Sequence, residues 1–137
     1  MSSVFFVTAA RLLEPVILFF SFYVLVRGHD EPGGGFAGGL AAASAFVLHG
    51  FAHGLASARV ALRVDERTLV ASGLTLAAAT AIAPLFAGRP LLDAAWVTVP
   101  LGPLGEVELG SPLLFDAGVY VLVLGSAVAL VTRLAEK

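Results

Sequence analysis

The chain has 137 residues, of which 58% are hydrophobic and only 13% charged, whereas a soluble domain carries about 25% charged residues. With so few polar groups it cannot clothe a water-facing surface, so its outside is expected to meet lipid. A formal charge of −2 supplies no basic footprint for nucleic acid, and zero cysteines exclude disulfides, cysteine-ligated zinc and thiol chemistry.

A membrane span needs about 20 mostly apolar residues. The first candidate is Val4–Val26, whose only charges are Arg11 and Glu14. It has no basic n-region and is too long for a signal h-region, so it is expected to stay in the membrane. A charge in the bilayer core is costly and marks a site facing protein or water. Arg11 and Glu14 are three apart on one helical face, which suits a mutual ion pair that locks the helix against a partner. A proton or cation relay through Glu14 is the other reading. Pro15 just after them is expected to bend the helix.

A Gly-rich, acidic turn follows, reading Arg27-Gly28-His29-Asp30-Glu31-Pro32-Gly33-Gly34-Gly35-Phe36-Ala37-Gly38-Gly39-Leu40. Gly33, Gly35 and Gly38 fit the spacing of a dinucleotide fingerprint, but that motif has meaning only after a strand and at the head of a βαβ unit. Here an apolar helix precedes it, and no Lys-Ser/Thr pair follows to make a P-loop. Small residues four apart (Gly34/Gly38, Gly35/Gly39, Gly50/Gly54) suit close helix packing in lipid. Asp30 and Glu31 stand before a helix N-terminus, where the dipole favours carboxylates. They could also concentrate sodium ions or protons at a membrane mouth. Pro32 limits Glu31 to extended geometry and can start the second helix.

The second span, Gly35–Ala58, is uncharged but holds His49 and His53, four apart. That spacing suits proton shuttling, interfacial hydrogen bonding or metal ligation. Two histidines alone make a weak metal site, and no third ligand is evident nearby, so no metal is assigned. Arg59, Arg63 and Arg67, with Asp65 and Glu66, read as a solvated loop that sets topology and touches anionic lipid. The third span is Thr68–Ala87, ending near Pro84 and Gly88. In the long connection Gly88–Ser111, Leu91–Trp96 suits the membrane interface. Val97–Leu109 then alternates loosely around Gly102-Pro103 and Gly105, as in a short hairpin. The fourth span, Pro112–Leu134, carries Asp116 near its start, within hydrogen-bonding spacing of Tyr120. Asp116 could instead cap exposed backbone amides or contact an ion.

The predicted fold is an all-α integral membrane protein, a single transmembrane domain over 1–137. About four transmembrane helices form an antiparallel bundle, with a long outer loop between the third and fourth. Arg59, Arg63, Arg67, Arg133 and Lys137 fall on one side, against Arg27 and Arg89 on the other. The positive-inside rule then places both termini in the cytoplasm of a multi-pass cell-membrane protein.

The run Gly28–Leu40 resembles the signature of the MnhB/MrpB family, a small component of the Mrp-type (Mnh) multisubunit sodium/proton antiporter, with Asp30 where that family usually has Asn. A second run, Ser111-Pro-Leu-Leu-Phe-Asp-Ala-Gly-Val-Tyr-Val-Leu-Val-Leu-Gly125, is similar to the family's last-helix pattern. The resemblance implies a small non-enzymatic subunit, without cofactors, among other hydrophobic subunits of an antiporter complex that exchanges sodium ions and protons. Glu14, Arg11, Asp30, Glu31, Pro32, Phe36, Asp116 and Tyr120 are its candidate ion-route or interface residues, with His49 and His53 as a lesser proton relay. An alternative is a self-sufficient four-helix exporter using Glu14. The adjacent Arg11, the Gly-rich turn and the long outer connection are features that such an exporter does not require.

Overall fold

A computed structural model describes residues 4–27, 34–89, 96–100, 102–104 and 106–135. Its helices are α1 (Val4–Arg27), α2 (Gly34–His53), α3 (Leu55–Leu62), α4 (Glu66–Phe86) and α5 (Ser111–Ala135). Strands β1 (Trp96–Pro100) and β2 (Glu106–Gly110) lie between α4 and α5. Helices α1, α2, α4 and α5 are each long and apolar enough to cross a membrane. The fold is thus an all-helical membrane protein carrying one small hairpin.

Helix boundaries follow local chemistry. The segment expected as one span to Ala58 breaks at Gly54, whose φ of +102° is a conformation that side chains disfavour. Helix α3 leaves from there and tucks Ala58 and Leu62 back into the interior. Asp65 caps α4, its carboxylate accepting from the Arg67 amide at 3.0 Å. Helix α4 ends in a Schellman motif: Arg89 N–H donates to Pro84 C=O, Gly88 N–H donates to Leu85 C=O, and Gly88 has a φ of +75°. The strands pair antiparallel, Trp96 opposite Gly110 and Pro100 opposite Glu106, around a 3-10 turn at Gly102–Leu104.

Helix α1 packs on α2, α2 on α5, and α5 on α4, with only a light contact between α1 and α5. The four spans therefore stand in a row, α1–α2–α5–α4. Glu14 meets His49 while Ser21 meets Gly38, so α1 and α2 run antiparallel. Gly35 meets Asp116 while Gly39 meets Tyr120, so α2 and α5 run parallel. Gly73 meets Gly118 while Leu69 meets Gly125, so α4 and α5 run antiparallel.

The core is built from small residues because the backbones nearly touch. Ala42, Ala43, Leu62, Leu124 and Val128 form its buried cluster, flanked by Leu18, Phe46 and Leu69. A Cβ at Gly39 would stand 2.8 Å from the Tyr120 carbonyl oxygen, and one at Gly73 2.5 Å from the Leu122 amide nitrogen. Without a hydrophobic drive between helices in lipid, this close van der Waals contact supplies the attraction. The outward side of α1, by contrast, is lined with exposed Phe5, Phe19, Phe20 and Phe22.

Candidate functional site

Two polar levels interrupt the apolar seam beside α1. At the first, the Ser21 hydroxyl donates to the Leu18 carbonyl at 2.6 Å and lies 2.8 Å from the Tyr120 hydroxyl. The Tyr120 ring passes over Gly38, where a Cβ would meet its edge at 3.1 Å. Glycine at that position therefore lets a residue of α5 reach across α2 to α1. The expected partnership of Tyr120 was with Asp116, one turn away. The phenol instead reaches Ser21, because its hydroxyl sits at the far end of a rigid ring pointing across the bundle.

Asp116 lies on the second turn of α5, since that helix already begins at Ser111. It is therefore past the first amides it was expected to cap. Its backbone carbonyl abuts Gly35, so any side chain at that glycine would collide with main chain.

The second level lies seven residues earlier on α1, about 10 Å along the helix axis. Here His49 Nδ1 is 2.6 Å from Glu14 Oε1, joining α1 to α2. The Glu14 side chain is 18% exposed and that of His49 26%. An imidazole N–H donating to a carboxylate makes a short, charge-assisted bond. His53 follows one turn later, its ring centroid 4.5 Å from that of His49. Its Nδ1 stands 3.3 Å from the His49 carbonyl, to which an N–H there would donate. One ligand-capable atom from each of Glu14, His49 and His53 lies within 4.8 Å of the others.

The structure thus brings Glu14 to His49 and not, among the described residues, to Arg11. Glu14 faces α2, whereas Arg11 is exposed. Helix α1 runs unbroken through Pro15, where the missing N–H leaves the Arg11 carbonyl without its intrahelical donor. Phe36 is exposed at the start of α2. Asp30, Glu31 and Pro32 lie outside the described residues. Of the three glycine pairs expected to pack, Gly34/Gly38 and Gly35/Gly39 are buried. Gly50 is also buried, but Gly54 is exposed and serves as the helix break instead.

Spacing along one helix does not reveal the Glu14–His49 contact, which depends on how α1 and α2 pair. A signal was nonetheless present: Glu14 precedes Arg27 by 13 residues and His49 follows Gly34 by 15. Both therefore lie about 20 Å from the connection, at one level of an antiparallel pair.

Where α3 gives way to α4, Val60, Arg63, Val64, Asp65, Glu66, Arg67 and Arg133 line an open cleft of about 750 Å³. Glu66 is buried there, and Arg63 holds a left-handed φ of +64° as α3 ends.

Residues 5–129 match the family described as a domain related to the MnhB subunit of the Na+/H+ antiporter. A Na(+)/H(+) antiporter subunit of the B type from Bacillus subtilis is 37% identical over 130 residues, 95% of this chain and 91% of that protein. A putative antiporter subunit, mnhB2, of Staphylococcus saprophyticus is 41% identical over 123 residues, 88% of this chain and 86% of that one. Among solved structures, a chain of the Mrp complex from a Dietzia species is similar, with a TM-score of 0.80 and 34% identity. The match covers 96% of this chain but only 14% of that much longer one. The family match reaches all four spans, and with these relatives it shows that the chain belongs to the family related to the MnhB subunit of sodium/proton antiporters.

Proposed function

We propose that this chain is a small membrane subunit of a multisubunit monovalent cation (sodium)/proton antiporter, acting beside other hydrophobic subunits. The observation that carries the reading is the arrangement of the four spans as a one-helix-thick row. A row exposes both of its faces, and α1 turns a series of phenylalanines outward. Such a layer suits one wall of a larger assembly. The similarity to antiporter subunits over nearly the full length supports the same reading.

In this reading the chain is a non-enzymatic component that contributes to assembly and lines part of the ion route. Both termini are cytoplasmic and the membrane is the plasma membrane. The Gly28–Gly39 turn and the β1–β2 hairpin face outward, while the arginine-lined cleft beside α3 faces the cytoplasm. That orientation follows from the five cationic side chains on one side against two on the other. Asp30, Glu31, Pro32, Phe36, Asp116 and Tyr120 then cluster by sequence at the outer ends of α1, α2 and α5. Arg11 and Glu14 lie deeper, toward the cytoplasm.

Two observations weigh against the self-sufficient exporter. Its essential carboxylate, Glu14, is engaged by His49, and the similar full-length proteins are antiporter subunits.

The test is reconstitution. Everted vesicles from cells carrying the complete set of subunit genes are expected to exchange sodium for protons, and deletion of this chain to abolish exchange. Transport by vesicles containing this chain alone would overturn the proposal. Asp30→Asn, Glu31→Gln and Asp116→Asn then separate the two roles. Lost exchange with intact co-purification marks the ion route, and lost co-purification marks assembly.

A further inference from the structure

The seam between α1 and α2 holds three donors whose chemistry is poorly suited to sodium. Glu14 supplies a carboxylate oxygen, and His49 and His53 supply imidazole nitrogens, all within 4.8 Å of one another. Sodium and magnesium favour oxygen donors, whereas imidazole suits zinc, copper and nickel. Two histidines four apart on one helix present both rings to one ion, and the ring centroids here lie 4.5 Å apart with the planes tilted by 32°. The third donor comes from the neighbouring helix and already contacts His49 at 2.6 Å. We propose that Glu14, His49 and His53 form a binding site for one divalent transition-metal ion of the zinc class, set into the α1–α2 seam.

The geometry needs little rearrangement. Zinc–nitrogen and zinc–oxygen bonds of about 2.0–2.2 Å place tetrahedral ligand atoms about 3.3–3.6 Å apart. The Glu14–His49 pair is tighter than that, and the others lie within 4.8 Å. Side-chain rotations of the exposed His53 close most of the gap. The ion takes the place of the proton between Glu14 and His49; that proton moves to Nε2 of a neutral imidazole or, from an imidazolium, leaves to water. Three protein ligands leave a fourth position for water. Arg11 is the cation nearest in sequence, one turn from Glu14 and exposed.

The site lies on a seam that the sodium/proton reading does not require to bind zinc, so the two proposals stand or fall separately. The full-length chain, stripped with chelator and placed in lipid nanodiscs, is titrated with Zn2+ and, in parallel, with Co2+ read by its visible spectrum. A large excess of Na+ and Mg2+ is present throughout. One ion per chain is expected, with a tetrahedral Co2+ spectrum and a rise in thermal midpoint on adding Zn2+. His53→Gln changes an exposed residue and leaves folding intact, and it is expected to weaken Zn2+ binding at least about tenfold. His49→Ala and Glu14→Gln are expected to do the same, with circular dichroism confirming their helices. Arg11→Gln is expected to retain the site. Absence of stoichiometric binding by the wild-type chain, or equal binding by wild type and His53→Gln, overturns the proposal. Displacement by Na+ alone also overturns it, since it would make the site an alkali-ion site.

Discussion

The two sides of α5 are joined to their neighbours by different means. Toward α4 the contact is dry backbone against backbone, Gly73 and Gly118 opposed and Gly125 against Leu69. Toward α2 and α1, glycines again bring the helices close, but a phenol passes over them to a serine on the far helix. These contacts on the α4 side work by shape. The other side combines shape with a hydrogen bond, and beyond it α1 and α2 are joined to each other by a carboxylate–imidazole pair. The α4 side thus shows close backbone packing along its length, whereas the α1 side places polar groups within the membrane, where a polar group without a partner is costly.

The contrast breaks most sharply at Gly118. A Cβ there would stand 2.7 Å from the Ala77 nitrogen and 2.8 Å from the Gly73 carbonyl oxygen. Backbone atoms cannot rotate aside, so Gly118→Val is expected to cost the upper part of the overpacking range of about 1–3 kcal/mol or more. The check is loss of folded protein and a lower thermal midpoint in nanodiscs. Tolerance of valine would mean that α4 and α5 are held farther apart.

A smaller effect is expected on the polar side. Ser21→Ala and Tyr120→Phe, alone and combined, measure the bond between α1 and α5. Hydrogen bonds between membrane helices average about 0.6 kcal/mol and reach about 1.7 kcal/mol. The coupling from the double-mutant cycle is expected within that range, and a coupling of zero would reduce the contact to coincidence.

The smallest effect on the isolated chain is expected at Phe19, which is 78% exposed. Phe19→Ala should leave the melting of the subunit nearly unchanged. It is nonetheless expected to weaken co-purification with partner subunits if α1 forms part of the wall's outer contact. Unchanged assembly would assign that surface to lipid.

Most of the framework was legible in the sequence. Length and apolarity mark the four spans, and Gly102-Pro103 marks the turn between β1 and β2. The row order was not legible, because hydropathy says which segments cross the membrane and nothing of which neighbours touch. The expected pairs Arg11–Glu14 and Asp116–Tyr120 rested on helical spacing, which brings side chains near one another without deciding which partner each one faces. In each case a group on another helix supplied the alternative. Glycine four apart is similarly ambiguous: Gly50 is packed and Gly54 turns the chain. Only the backbone angles distinguish the two.

That turn also governs how α2 fits its surroundings. If the helix ran on from Gly34 to Leu62, it would be about 43 Å long, well beyond a hydrocarbon layer of about 30 Å. The break at Gly54 trims it to 20 residues, or about 30 Å, close to the hydrocarbon thickness. The remaining turns become α3, free to lie along a different direction. A glycine at which an added Cβ would meet nothing within 4 Å thereby decides how much of this segment stands as a spanning helix.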